Sequence, residues 1–93
     1  MNKKKLKVAR IKIDQLDRNI FNLIKRRTQV VKYMLRLKQF KNQIVDHKRI
    51  NEIIKNIKNK SIKNKIDPKI TTRIWKSIIW SYVDYQKRNF KKK

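Results

Sequence analysis

The chain of 93 residues has no cysteine, no glycine, one proline, one histidine and six acidic side chains. Without cysteine there are no disulfide staples, no thiolate nucleophile and no zinc-finger ligand set. The single histidine, His47, stands near a helix start, where a solvated first-turn residue is the plain reading and neither a base nor a metal ligand is expected. No paired carboxylates, Ser/His arrangement or metal-ligand cluster occurs, so acid–base and nucleophilic chemistry lack candidates and neither metal nor cofactor is expected. No apolar run approaches the roughly 18 residues of a membrane span. The opening MNKKKLK also lacks the apolar stretch that a secretory signal places after its charges. The expectation is a soluble, cytoplasmic protein with no membrane role.

Positive charge is what the chain has in excess: 29 Lys and Arg against the six acids, a net charge of +23. Clustered cations gain affinity for nucleic acid by releasing counterions. Here the lysines are spread over the polar positions of every segment, and Asn, Ile and Lys are used as an A/T-rich genome would use them. Nucleic-acid binding beyond the non-specific kind is therefore not expected. The field would still draw small anions inward.

From Leu6 to Phe40 nothing interrupts a helix, and Ala9, Ile13, Leu16, Ile20, Leu23, Val30, Met34 and Leu37 recur at the spacing of an amphipathic stripe. Arg27 falls on that stripe where a Leu would be expected. A guanidinium there costs several kcal/mol unless an anion meets it, which points to an ion pair or a ligand site. Lys38 follows eleven residues later. On one continuous helix the two side chains would point the same way with about 16 Å between their Cα atoms, a span that brackets a small dianion.

The fold expected is all-α, a single domain over 1–93 with three helices at about 4–41, 46–60 and 67–90. Asp46 caps the second helix, whose stripe is Ile50, Ile53, Ile54 and Ile57. Asp67 and Pro68 begin the third, whose inward stripe is Ile70, Ile74, Trp75, Ile78, Ile79, Tyr82 and Gln86. So short a chain buries only about two-thirds of its unfolded surface, so a partner subunit is expected. Near the expected core stand Arg27, Lys38, Arg49 and Gln86, a set suited to binding carboxylates and donating hydrogen bonds to developing charge.

Arg10 precedes the motif IDQLD (residues 13–17), and Arg27 lies seventeen residues further on. Lys38 follows, Arg49 opens the second helix, and Gln86 comes late in the third. This ordered set resembles the all-helical (type II) chorismate mutase family along nearly the whole chain. The resemblance implies an intertwined helical homodimer with two equivalent sites. Lys38, Gln86 and Arg27 would be catalytic, and Arg10 from the partner chain would bind substrate with Arg27 and Arg49. Spacing agrees on Arg10: seventeen residues separate it from Arg27 by about 25 Å along a helix and about 100° around it, so the two would serve one site only across a two-fold axis.

Two positions depart from the usual family pattern. Ile50 stands where a Glu is usual and Tyr82 where a Ser is usual, as in the isochorismate pyruvate lyase branch of the family. Both would line the substrate pocket. As the parent activity of the fold, rearrangement of chorismate to prephenate, the step of the shikimate pathway towards Phe and Tyr, is nonetheless the activity the resemblance implies. The alternatives are elimination of pyruvate from isochorismate, leaving salicylate, and a non-catalytic basic protein that binds nucleic acid.

Overall fold

The computed structural model describes residues 2–91, and among these it contains three α-helices and no strand. Helix α1 spans Lys3–Leu37, α2 spans His47–Lys63 and α3 spans Pro68–Asn89; one turn of 3-10 helix, Lys41–Gln43, follows α1. Among the described residues no helix is long and apolar enough to cross a membrane.

The helix ends follow from local hydrogen bonding. Asn2 caps α1: its side-chain oxygen accepts from the Lys5 N–H at 3.0 Å and its carbonyl from Leu6 at 3.0 Å. The far end comes four residues before the expected 41, because the next donors are diverted. Gln43 Oε1 accepts from the backbone N–H of Gln39 at 2.8 Å and of Phe40 at 2.9 Å, so neither continues the helical ladder. Lys38, expected on the helix, lies just beyond it, its N–H turned to the Leu35 carbonyl at 3.2 Å.

Asp46 caps α2 as expected, accepting from the Arg49 N–H at 3.0 Å. The helix then runs to Lys63 rather than to about 60. Its end is a Schellman turn, in which Ile66 N–H reaches the Ser61 carbonyl at 2.9 Å and Lys65 N–H the Ile62 carbonyl at 3.2 Å. Such a turn needs a left-handed residue, and in a chain without glycine Lys65 takes it at φ 57°. Asp67 accepts from the Lys69 N–H at 2.9 Å and Pro68 occupies the first turn, as the sequence implied for α3.

The chain divides between Lys32 and Tyr33 into two compact units. The first is α1 up to Lys32. Along α1 the apolar positions alternate by four and three from Ala9 to Leu37 with Arg27 in sequence, the heptad pattern of a coiled-coil seam. Ile13, Leu16, Ile20, Leu23 and Val30 on that seam are each more than half exposed.

The second unit holds the end of α1, the 3-10 turn, α2 and α3. Its core is Ile44, Ile79 and Val83, flanked by Leu35, Val45, Ile50, Ile53, Ile54 and Phe90. This corrects the expected inward stripe of α3: Ile70 and Ile74 are exposed, and Val83 takes a core place. Where α2 and α3 meet, buried Ser61 donates to the Ile57 carbonyl and shares a 2.6 Å hydroxyl contact with Thr71.

Candidate active site

The second unit brings two of the expected site residues into direct contact. Lys38, on the non-helical segment after α1, donates from Nζ to Gln86 Oε1 on α3 at 2.6 Å. Gln86 is 7% exposed, and its Nε2 donates to the Tyr82 carbonyl one turn earlier at 3.2 Å. With an ammonium on its oxygen and a carbonyl on its nitrogen, the amide has only one sensible orientation. An ammonium carries three donors and an amide nitrogen two, so these bonds leave donor capacity at the pair for an incoming acceptor.

Burial pulls the Lys38 ammonium below the usual lysine pKa, and the Asp46 carboxylate pulls the other way and loses. A cation partly stripped of water acts strongly on an anion beside it, because less solvent screens the two. Asp46 thus does two things at once. It caps α2 through the Arg49 N–H, and its charge opposes the desolvation of Lys38.

The other expected site residues are distributed as follows. Ile50 is half-buried, packed against the Ile44, Ile79 and Val83 core. Tyr82 is half-buried on α3, one turn before Gln86, and meets the pair through its carbonyl. Arg49 is exposed in the first turn of α2, held to Asp46 by its backbone. On α1, Arg10 is exposed and Arg27 half-buried. One expectation is corrected: Lys38 is not on the helix that carries Arg27, so helical phase does not govern where its side chain points.

Three features around this pair are not announced by the stripes and motifs of the sequence: the roles of Gln43 and Ile44 and the charge of Asp46 on Lys38. Gln43 had no signal, being one polar residue in a polar stretch. Ile44 and Val45 between polar neighbours did carry one, since an apolar pair in a short connection implies an anchored loop. Among the described residues no group of three or more His, Cys, Asp or Glu could hold a metal ion.

The family model described as chorismate mutase type II matches residues 9–87, which takes in α2 and all but the ends of α1 and α3. No curated protein and no solved structure matches the chain.

Proposed function

The chain belongs to the chorismate mutase type II family and is an enzyme of the isomerase kind; from this premise we propose that it rearranges chorismate to prephenate at a site centred on Lys38 and Gln86. The 2.6 Å bond from Lys38 Nζ to buried Gln86 is the observation that carries the reading. The rearrangement is pericyclic: the enolpyruvyl ether bond breaks as a carbon–carbon bond forms, within a single molecule, and negative charge grows on the ether oxygen. No proton or covalent intermediate is required. An enzyme therefore helps by holding the dianion in the compact conformer and aiming donors at that oxygen. Lys38 and Gln86 are those donors. Arg27 and the Arg10 of a second copy hold the carboxylates, and Arg49 orients the ring side.

The second copy is part of the proposal. A seam of heptad spacing with more than half of several large apolar side chains in water is the pattern of a helix paired with another. The second unit also leaves Ile62, Ile66, Ile70 and Ile74 exposed, apolar surface of its own that a partner would cover. Paired antiparallel across a two-fold axis, two α1 helices would bring Arg10 of one copy towards Arg27 of the other.

A second reading is favoured by Ile50 and Tyr82. Ile50, packed half-buried beside the core, offers no carboxylate to a ring hydroxyl, as expected of an enzyme that eliminates pyruvate from isochorismate. That reaction loads the same ether oxygen, so the Lys38–Gln86 pair serves either. Incubating the purified protein with chorismate and, separately, with isochorismate, then resolving products by chromatography, tests the choice. Prephenate from chorismate as the faster reaction is expected. Salicylate with pyruvate as the faster outcome would transfer the assignment to the lyase.

A further inference from the structure

The residue following a helix end has few constraints of its own, yet Lys38 occupies such a position and meets Gln86 at 2.6 Å. Its backbone leaves α1 at Leu37 and does not enter another α-helix until His47. Something must fix the intervening chain if the ammonium is to be held on target. The structure assigns that task to Gln43: we propose that Gln43 is a positioning residue for the reaction, clamping the backbone that carries Lys38.

Gln43 Oε1 accepts two hydrogen bonds at once, from the N–H of Gln39 at 2.8 Å and of Phe40 at 2.9 Å, the two residues directly after Lys38. The 3-10 turn closes the same loop from the other side, with Gln43 N–H on the Phe40 carbonyl at 3.0 Å and Ile44 N–H on the Lys41 carbonyl at 3.1 Å. Ile44 then plants the segment in the core, 4% exposed, beside Ile79 and Val83. Val83 lies one turn before Gln86 on α3. A chain of contacts thus runs from the Lys38 backbone through Gln43 and Ile44 to the helix bearing the acceptor of the Lys38 ammonium.

Gln43 itself is exposed, so little packing is lost with its side chain. Its contribution is an acceptor oxygen at one point, a property that separates positioning from bulk stability. Replacing it by Met keeps the length and removes the acceptor, whereas Glu keeps two acceptor oxygens. Misplacing a catalytic group by a fraction of an ångström to one ångström costs about tenfold to a hundredfold in rate.

The proposal rests on Lys38 being the donor to the reacting oxygen, and the test separates the two. Turnover of chorismate by the full-length protein is measured across pH for wild type, Gln43→Met, Gln43→Glu and Lys38→Ala. Gln43→Met should lower kcat about tenfold or more with KM changed by less than about twofold, and Gln43→Glu should restore most of the loss. The alkaline limb of kcat/KM should also move upward in Gln43→Met. A loosened Lys38 is better hydrated and returns towards the ordinary lysine range, with Asp46 on α2 still favouring its charge and the neutral Gln86 on α3 no longer fixing it. Wild-type rate with an unmoved limb in Gln43→Met, or an equal loss in Gln43→Glu, overturns the clamp. Near wild-type rate in Lys38→Ala instead overturns the site reading beneath it. Amide exchange in the unmutated protein adds a measurement independent of variant folding: the Gln39 and Phe40 amides should be slowed relative to Asn42, and equally fast exchange at all three contradicts the clamp.

Discussion

Lys38 is held in a state that suits chemistry and costs stability. Its pKa lies below that of a lysine in the unfolded chain, so folding disfavours its charged form. The sign follows: at pH values below the lowered pKa the group opposes folding, and the penalty is relieved as pH rises from that value towards the ordinary lysine range. Lys38→Met removes that penalty but also the donor to buried Gln86 Oε1, two opposed effects, so the melting temperature should change little while activity collapses. For Lys38→Ala the rate should fall about a hundredfold or more, since a preorganised donor aimed at developing charge contributes about 3 to 4 kcal/mol. Gln86→Ala should act in the same direction and less, a neutral amide being the weaker donor. Ile50→Glu should raise the ratio of chorismate to isochorismate turnover, read by competing the two substrates. Part of this is legible in the sequence: Arg27 and Gln86 fall on expected apolar stripes, whereas Lys38 and Arg49 gain their meaning from the ordered set they complete. The direct Lys38–Gln86 bond is not legible there, since it joins residues 48 apart and depends on where α1 stops.

At the level of elements, helix starts were plain and helix stops were not. Asp46 and the pair Asp67 and Pro68 announce their helices, and the structure has both caps. The stops of α1 and α2 lack any such signal, because the usual marker is glycine and the chain has none. A side chain, Gln43, ends the first, and a lysine forced into left-handed geometry ends the second. Lys65→Gly should then raise stability by about 1 kcal/mol, seen as a higher melting temperature with activity unchanged, because glycine takes that conformation without the Cβ clash. Asp46→Ala should cost about 1 kcal/mol through the lost cap. It should also shift the alkaline limb of kcat/KM downward, since the carboxylate that raises the Lys38 pKa is gone.

Across the whole molecule, α1 and the second unit each leave large apolar side chains in water that a single copy does not cover. Sedimentation should find a dimer at micromolar concentration, with a melting temperature that rises with protein concentration. The charge of +23 should act on encounter: kcat/KM for a dianion should fall as salt rises through the Debye regime, while kcat barely moves. Binding to nucleic acid should be salt-sensitive and indifferent to Arg27→Ala, which should abolish turnover in the folded protein. The central claim is that each site takes Arg10 from one copy and Lys38 with Gln86 from the other, and mixed dimers test it most directly. Arg10→Ala and Lys38→Ala chains, each inactive alone, are unfolded together and refolded. Half of the resulting dimers would pair the two variants, and each of these would contain one intact site, so the mixture should recover about one quarter of wild-type turnover. No recovery from a mixture shown to contain the mixed dimer would contradict a site shared between copies.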